Sequence, residues 1–590
     1  MKSDMRNKMN LIEKSILKNM YESRYLNQRT LAEDTDYALG TINQSLKNLT
    51  VEGYIDSCFK VTEKGKILLR QNSPRRAVIL AAGYGMRMVP INTETPKGLL
   101  EVYGEPLVER IIKQLHEVGI KEIYIVVGFM KEEYEYLIDE YNVKLVVNTE
   151  YSTKNNLFSL NRVKEYLENC YVIPCDIWCR NNPFSKYEIY SWYMINELAD
   201  DSSMVRMNRK MELVKPSKGL SGNKMIGICY LTKEDAHKVK KQLNMCCHTS
   251  LYDDAFWEET LFENNKMIVA GKLCSSKNVI EINTYEQLRD LDNTSNHLKT
   301  DAIEIICQAL HVKEEAIENI NVLKKGMTNR SFLFECDGNK YIMRIPGEGT
   351  EQLINRKQEA AVYEVIKNKN ICDDIVYINP ENGYKITRYL NNARVCDPFN
   401  EEDIRRCMGK LKDFHSLNLK VNHAFDIFGQ IDFYESLWNG QPSVYRDYIK
   451  TKENVMKLKS LIESERKEFC LTHIDAVPDN FLFVGDDIRL IDWEYAGMQD
   501  PDVDIAMFCI YSLYNKVQVD HLIDVYFDGY CDRKTRIKIY CYIACCGLLW
   551  SNWCEYKRNL GIEFGEYSLR QYRYAKEYYK LVAEEIHLGE

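Results

Sequence analysis

The chain has 590 residues, of which 45% are hydrophobic and 28% are charged. This length corresponds to about three to five folding units, and the composition is that of globular domains that bury a core. The formal net charge of −9 disfavours an overall basic nucleic-acid binder. No run of about 18 apolar residues predicts a membrane helix, and the first residues lack the apolar segment of a signal peptide. We therefore expect a cytoplasmic protein with no membrane partner.

Residues 1–74 are predicted to form a helical module. Two helical segments precede a third, in which apolar residues recur at helical spacing from Leu39 to Leu49. The next segment, GYIDSCFKVTEKG, predicts two short strands that close at Gly65. Three helices followed by a hairpin resemble a winged helix-turn-helix domain, and this resemblance implies a DNA-binding or regulatory module.

The charge of this module bears on DNA binding. Residues 1–76 hold 14 Lys and Arg against 9 Asp and Glu, but the third helix carries Lys47 as its single basic side chain. DNA binding requires several basic side chains that neutralise phosphates. Self-association or a regulatory role through residues 1–76 is therefore the alternative to DNA binding.

The second segment, residues 75–298, alternates apolar strand patterns with amphipathic helix patterns. The strand patterns are AVILAAG, EIYIVVG, VKLVVN and YVIPCDIW, and the clearest helix is PLVERIIKQLHEVG, which Gly119 is expected to end. Such alternation is typical of an open α/β sheet covered by helices. We expect a Rossmann-like domain whose sheet is mostly parallel.

A glycine-containing loop follows the first strand of this segment. It reads LAAGYGMR, from Leu80 to Arg87, and Lys97 follows in a Pro-Lys pair. Glycines at a strand end let backbone N–H groups approach a triphosphate, and Arg87 and Lys97 can offset its charge. The run resembles the nucleotidyltransferases that activate sugar phosphates or phosphocholine. The resemblance implies Arg87 and Lys97 as catalytic residues and the following nucleotide-binding residues: Leu80, Ala82, Gly83 and Gly85.

A metal site is expected at another strand end of the same domain. Asp176 follows the apolar strand of YVIPCDIW, and the resemblance implies that this aspartate binds Mg²⁺. Relatives add a second acidic motif, E-x-D, where this sequence has Glu281-Ile282-Asn283. The expected metal ligands are therefore Asp176, Glu281 and Asn283, and the neutral Asn283 departs from the pattern.

The stretch NTEYSTKNNLFSL points to the substrates of this domain. It resembles the CTP:phosphocholine cytidylyltransferases more than the sugar-nucleotide enzymes, which implies CTP and phosphocholine as partners. Trp257 and Glu258 supply the aromatic face and the counter-charge that a quaternary ammonium group needs. A tryptophan in the core beside a solvated glutamate is the alternative interpretation of this pair.

The third segment, residues 299–590, begins with strand patterns and becomes helical after Glu401, so we expect a bilobal, protein-kinase-like α+β domain. The run HIDAVPDN matches H-x-D-x-x-x-x-N, and Asp492 follows in RLIDWEY. Phosphoryl transfer needs a carboxylate that accepts the hydroxyl proton and oxygen ligands that hold Mg²⁺. Asp475 suits the first role, and Asn480 and Asp492 suit the second.

Upstream, residues 326–329 and the strand patterns SFLFECDG and KYIMRI resemble the nucleotide-covering hairpin of the aminoglycoside-phosphotransferase and choline-kinase superfamily. The resemblance implies ATP as a partner, with Asn329 and Arg344 at the nucleotide. Arg344 stands where protein kinases place a lysine. Glu359 on the next helix is its expected ion-pair partner, with Glu364 as the alternative.

Aromatic residues near the carboxyl end point to the substrate of the kinase. Trp550 and Trp553 share a helix face and can present π surfaces to a trimethylammonium group. Their order after Asp492-Trp493-Glu494-Tyr495 and before Tyr567 resembles choline and ethanolamine kinases. The resemblance implies a choline site that contains these residues: Glu494, Tyr495, Trp550, Trp553 and Tyr567.

Together these patterns predict a bifunctional enzyme. The kinase would convert choline and ATP to phosphocholine, and the nucleotidyltransferase would convert phosphocholine and CTP to CDP-choline. Ethanolamine or sugar-phosphate substrates on the same folds are one alternative. A winged-helix transcription regulator whose enzyme-like domains sense choline metabolites is another.

Overall fold

A computed structural model of the chain describes residues 9–23, 25, 27–35, 37–217, 219–323, 329–347, 350, 353–560 and 562–587. The residues at positions 326–328, predicted to cover the nucleotide, lie outside the described part. The chain divides into two units, residues 1–304 and 305–590. The three-domain division at 74/75 and 298/299 stays a prediction.

The first unit begins with helices, as the apolar spacing predicts. They are α1 (Leu11–Glu22), α2 (Gln28–Thr35), α3 (Leu39–Val51) and α4 (Glu63–Gln71). The expected pair of strands is reduced to one antiparallel bridge between Ile55 and Val61. The prediction that a hairpin closes at Gly65 is wrong, because Thr62 caps α4 by accepting the N–H of Gly65 and so starts a helix there.

These helices share their core with the rest of the unit. Ile189, which precedes the strand Trp192–Asp200 in the chain, packs with Ile16, Leu17 and Leu69. Nearby, Lys18 on α1 forms an ion pair at 2.9 Å with Glu188, whose side chain is only 2% exposed. The helical segment is thus joined to the following domain by a buried charge pair and by apolar packing.

The remainder of the first unit consists of a large sheet with flanking helices. The strands of this part are β1 (Arg76–Ala81), β2 (Glu101–Val102), β3 (Glu105–Pro106), β4 (Glu122–Val127), β5 (Lys144–Val147), β6 (Cys170–Pro174), β7 (Ile177–Cys179), β8 (Trp192–Asp200), β9 (Arg206–Met207), β10 (Glu212–Val214), β11 (Gly222–Leu231), β12 (Phe262–Glu263), β13 (Lys266–Cys274) and β14 (Val279–Glu281). The pairs β2–β3 and β7–β14 form two small sheets of their own. Its helices are α5 (Leu107–Glu117), α6 (Leu137–Tyr141), α7 (Asn156–Arg162), α8 (Lys233–Cys246) and α9 (Tyr285–Leu291). Gly119, with φ of +88°, follows α5 as predicted.

The strand order of the main sheet is β5-β4-β1-β6-β11-β8-β13-β10-β9, with β12 beside β13. Strands β5, β4, β1 and β6 are parallel, but β11 is antiparallel to both β6 and β8. The prediction of a mostly parallel sheet is therefore wrong, and the sheet is mixed. A parallel return needs a long crossover, usually a helix, and the described residues between β8 and β11 contain only the β9–β10 hairpin.

The second unit has the bilobal organisation that the sequence predicts. Helix α10 (Asp301–Leu310) contains the boundary between the units. The following strands are β15 (Ile317–Val322), β16 (Asn329–Cys336), β17 (Asn339–Pro346), β18 (Ile375–Ile378), β19 (Lys385–Arg388), β20 (Arg394–Val395), β21 (Cys470–Thr472), β22 (Phe481–Val484), β23 (Asp487–Leu490) and β24 (Gly497–Gln499). The helices are α11 (Arg356–Ile366), α12 (Glu401–Ser416), α13 (Ile427–Ser436), α14 (Tyr448–Glu465), α15 (Asp502–Tyr511), α16 (Lys516–Tyr526), α17 (Arg533–Asn559) and α18 (Glu566–His587).

An antiparallel sheet in the order β15-β16-β17-β19-β18 forms the smaller lobe. Helix α17 runs through the larger lobe and is buried from Lys538 to Cys554 almost without interruption. Burial on all sides explains its continuous apolar sequence, YCYIACCGLLW. Within the described ranges, no helix is long and apolar enough to cross a membrane.

Candidate active sites

The glycine-containing loop after β1 lines a cavity of about 470 Å³. Gly85 has a φ of +61°, and a Cβ at this position would lie 3.2 Å from the Cβ of Lys97. Glycine is therefore favoured where the loop passes Lys97. The cavity brings together these residues predicted from the sequence: Leu80, Ala82, Gly83, Gly85, Arg87, Lys97 and Asp176.

Lys97 is the centre of a polar cluster in this cavity. Its Nζ forms an ion pair with Asp176 and donates a hydrogen bond to the Oδ1 of Asn283 at 2.7 Å. Arg87 donates to the same oxygen at 2.9 Å. Strand β14 pairs with β7, and the N–H of Ile282 donates to the carbonyl of Asp176 at 2.9 Å. This pairing places Asn283 beside the cations.

The predicted metal ligands differ in their surroundings. The Oδ1 of Asp176 is buried and has no hydrogen-bond partner among the described residues. Glu281 lies 3.4 Å from the Nζ of Lys224, and Asn283 accepts from two cations. The described residues contain no group of three or more His, Cys, Asp or Glu that could hold a metal by itself. An unpartnered carboxylate oxygen beside the glycine-containing loop fits the predicted divalent cation.

Trp257 and Glu258 lie in the core, outside the set of residues that lines the cavity. Trp257 is 2% exposed and packs near Tyr193, whose hydroxyl donates to Glu258 at 3.0 Å. Burial raises the pKa of Glu258 to about 7. The glutamate is therefore not the solvated side chain of the alternative interpretation, and the predicted contact of this pair with an ammonium group stays a prediction.

The opposite wall of the cavity comes from residues 151–156, which the structure ties to a second loop. Asn155 donates to the carbonyl of Asp254 at 2.9 Å, and the side chain of Asn156 accepts the N–H of Trp257 at 2.8 Å. Lys154 adds a cation to this wall, beside Glu150 at 3.0 Å. Lys154 is not among the residues predicted from the sequence, although a lysine within NTEYSTKNNLFSL was a visible signal.

In the second unit, the loop after β21 carries the predicted proton acceptor. The side-chain amide of Asn480 donates to the Oδ2 of Asp475 at 3.1 Å and to its carbonyl at 2.9 Å. Asp504 accepts the backbone N–H groups of His473 and Ile474 at 3.0 and 2.7 Å. These bonds tie the loop to Asp504, which lies on α15.

Acidic side chains surround this loop. Burial, together with the negative charges of Asp492 and Glu494, raises the pKa of Asp475 to about 8. Burial also raises the pKa of Asp492. A divalent cation would relieve this repulsion, and the carboxylate and amide oxygens of Asp492 and Asn480 are the ligands that Mg²⁺ prefers. The donor set therefore fits the metal.

The predicted ion pair of the smaller lobe is confirmed. Arg344 on β17 donates to both carboxylate oxygens of Glu359 on α11, at 2.5 and 2.9 Å, and both side chains are buried. The same guanidinium donates to the carbonyl of Gly383 at 3.0 Å. Glu364, the alternative partner, pairs with Lys367 instead.

A second arginine, Arg356, extends this pair into a network that the sequence analysis missed. Arg356 donates to Glu359 at 3.0 Å, to Glu494 at 3.2 Å and to Asn329 at 3.2 Å. Asn329 in turn donates to Glu494 at 2.9 Å. Glu494, which was predicted to help hold a substrate, therefore belongs to this ion network, and its predicted substrate contact stays a prediction.

The predicted aromatic residues do come together in the larger lobe. The ring of Tyr495 lies 5.5 Å from that of Trp550, which lies 5.6 Å from Trp553. Tyr567 lies 6.0 Å from Tyr511, whose hydroxyl donates to Asp479 in the loop after β21 at 2.6 Å. The tryptophans are only 6% and 3% exposed. Tyr495, Trp550 and Trp553 thus form one aromatic group, although 55 residues separate Tyr495 from Trp550.

Known proteins match this chain in two separate parts. The family model for choline/ethanolamine kinase matches residues 320–543, and that for the MobA-like NTP transferase domain matches residues 77–186. A choline-phosphate cytidylyltransferase of Streptococcus pneumoniae is 30% identical over 231 residues, which cover 37% of this chain and 96% of that protein. Protein LicA of Haemophilus influenzae is 29% identical over 265 residues, 42% of this chain and 96% of that protein. The crystal structure of choline kinase LicA from S. pneumoniae is 26% identical, with a TM-score of 0.42, and covers 47% of this chain and 98% of that chain.

Proposed function

Because the chain belongs, through 231 of its residues, to the choline-phosphate cytidylyltransferase family, and carries a choline/ethanolamine kinase domain, we propose that it makes CDP-choline from choline. It is both a phosphotransferase and a nucleotidyltransferase. The first reaction uses ATP and gives phosphocholine and ADP. The second uses CTP and gives CDP-choline and pyrophosphate.

In the kinase, the hydroxyl oxygen of choline attacks the γ-phosphorus of ATP while Asp475 accepts the hydroxyl proton. The bond between the γ-phosphorus and the oxygen of the leaving ADP breaks. Asn480 and the backbone bonds of Asp504 orient this carboxylate. Arg344, held by Glu359, faces the nucleotide phosphates. Mg²⁺ held by Asp492 and Asn480 would offset the charge of those phosphates.

In the nucleotidyltransferase, a phosphate oxygen of phosphocholine attacks the α-phosphorus of CTP, and pyrophosphate leaves. Negative charge that develops on the phosphates is stabilised by the backbone N–H groups near Gly83 and Gly85. The cations Arg87 and Lys97 stabilise the same charge. Asp176 is the residue that would hold Mg²⁺ beside them.

The observation that carries the proposal is the pairing of the two sites in one chain. One site has a base, metal ligands and an aromatic group suited to choline phosphorylation, and the other has a triphosphate loop with two cations. Phosphocholine is the product of the first reaction and the substrate of the second. The fusion of the two domains is explained by this shared intermediate.

The test is incubation of the chain with choline, ATP, CTP and Mg²⁺, with phosphocholine and CDP-choline followed over time by ³¹P NMR. We expect phosphocholine to rise first and CDP-choline to follow. Omission of ATP should stop both products, and phosphocholine supplied in its place should restore CDP-choline. Ethanolamine and sugar phosphates in parallel reactions test the alternative substrates, and a faster reaction with either would contradict the choline assignment.

For residues 1–74 we propose a winged helix that binds DNA or a second copy of the chain. The order of α1, α2 and α3 and the bridge between Ile55 and Val61 support it. Mobility-shift and light-scattering measurements on the full chain test the two partners. DNA binding by a chain that turns over neither substrate would instead favour a regulator that senses choline metabolites.

A further inference from the structure

Arg356, the first residue of α11, connects segments that no sequence motif links. Its guanidinium donates to Glu359 on its own helix, to Glu494 after β23 and to Asn329 at the start of β16. Only 8% of the residue is exposed. One side chain therefore joins three segments that are distant in sequence.

Arg356 supplies much of the positive charge that contacts the buried glutamates of this network. Two arginines, Arg344 and Arg356, face two glutamates, Glu359 and Glu494. Arg344 lies 3.9 Å from Glu494 and donates both hydrogen bonds of its fork to Glu359. Without Arg356, a buried carboxylate at position 494 would lose its nearest cation, and the guanidinium of Arg344 would be drawn toward it.

The backbone around Gly383 fits this arrangement. Gly383 has a φ of +74°, and a Cβ there would lie 2.6 Å from the Cδ of Arg356. Its carbonyl accepts a hydrogen bond from Arg344 at 3.0 Å. The turn therefore packs on one arginine and holds the other, so the two guanidinium groups have fixed relative positions.

The network lies directly beside the groups that the proposed kinase uses. Glu494 follows the predicted metal ligand Asp492 by two residues, and Asn329 begins the strand after the predicted nucleotide-covering segment. A shift of Glu494 would move the backbone of Asp492, and a shift of Glu359 would turn Arg344 away from the phosphates.

We propose that Arg356 is a positioning residue of the phosphotransfer site. It acts through Glu494 and Glu359, which it holds by hydrogen bonds so that Asp492 and Arg344 stay aligned with the nucleotide. This inference rests on the proposed kinase activity. Arginine is required rather than lysine, because one planar fork must donate to Glu359, Glu494 and Asn329 together.

The test compares Arg356→Met, which keeps the volume but removes the charge, with Arg356→Lys, which keeps the charge but removes the fork. The matched control is Lys357→Met, because Lys357 is the next residue and pairs with Glu381 at 3.1 Å on the surface. Misalignment of catalytic groups costs about 10²-fold in rate. We expect that loss in kcat/KM for ATP in Arg356→Met, a raised half-saturating Mg²⁺ concentration, a smaller loss in Arg356→Lys and none in Lys357→Met.

Two further measurements keep the result interpretable. Binding of a non-hydrolysable ATP analogue with Mg²⁺, measured by calorimetry, should weaken in Arg356→Met while the KM for choline changes little. Thermal unfolding of each variant, followed by circular dichroism, reports whether the unit that contains Arg356 is folded. Equal analogue binding and kcat/KM in Arg356→Met and Lys357→Met would overturn the proposal. A wild type that binds the analogue but does not phosphorylate choline would contradict the proposed substrate, and analogue binding would still test Arg356.

Discussion

The amide oxygen of Asn283 accepts a hydrogen bond from the Nζ of Lys97 at 2.7 Å, although 186 residues separate the two. The same lysine pairs with Asp176, so a neutral group lies in the middle of the predicted metal site. Asn283 leaves one negative charge fewer beside the nucleotide loop than an aspartate would.

The first prediction follows from that missing charge. Asn283→Asp adds a carboxylate beside Asp176, and its attraction for a divalent cation should lower the half-saturating Mg²⁺ concentration for CDP-choline formation. Titration of Mg²⁺ at fixed CTP measures this for both proteins. Superimposable curves would show that position 283 does not influence the metal.

The second prediction is that the two activities can be removed one at a time, because Asp475 and Lys97 belong to different units. Asp475→Asn removes the proton acceptor and should lower choline phosphorylation by about 10²- to 10⁴-fold. It should leave CDP-choline formation from supplied phosphocholine intact. Lys97→Ala should do the converse. Loss of both reactions in either folded variant is the outcome that the two-site proposal does not allow.

The third prediction concerns Trp550 and Trp553. A desolvated cation–π contact contributes about 2 kcal/mol, a factor of about 30 in affinity. Replacement of either tryptophan by leucine should raise the KM for choline toward that factor, with little change in the KM for ATP. The effect should be larger at Trp550, because its ring also packs on Tyr495. Steady-state kinetics measure both constants, and thermal unfolding of each variant separates lost packing from lost binding.

The fourth prediction addresses the attachment of the amino-terminal helices. Lys18→Met leaves the buried carboxylate of Glu188 without its cation and should lower the free energy of unfolding by roughly 3 kcal/mol. The double variant Lys18→Met/Glu188→Gln should recover most of that loss. Lys66→Met, which removes an exposed pair with Glu63, is the control and should change stability much less than Lys18→Met. Urea unfolding measures all three, and equal effects of Lys18→Met and Lys66→Met would show that the buried pair is unimportant.

The fifth prediction is a pH dependence of stability that comes from Glu258. Its pKa is raised from 4.5 to about 7 in the folded chain by burial. Between these values the unfolded chain releases this proton and the folded chain keeps it, so the residue makes stability fall as pH rises from 4.5 to 7. Glu258→Gln should remove this pH dependence. The free energy of unfolding of the variant should exceed that of the wild type most above pH 7. The free energy of unfolding of both proteins is measured from pH 5 to 8. Parallel pH dependences of the two proteins would contradict the prediction.

Local patterns determined much of this protein from the sequence by itself. The spacing of apolar residues located α1, α3 and α5, because a helix must place a stripe of side chains toward the core whatever packs against it. Asp475 and Asn480 could be assigned to one site because a single loop carries both. The Arg344–Glu359 pair was also accessible, since one strand and the next helix supply its partners.

Other features were decided only by the tertiary structure. The direction of β11, the meeting of Asn283 with Lys97 and the contact of Arg356 with Glu494 each join segments far apart in the chain. From the sequence, Trp257 could line a cavity or lie in the core. In the structure it lies in the core near Tyr193. The physical reason is the same in each case: a residue type and its local spacing define what a side chain can do, whereas the partner that satisfies a buried charge or fills a buried volume is supplied by whichever distant segment folds against it.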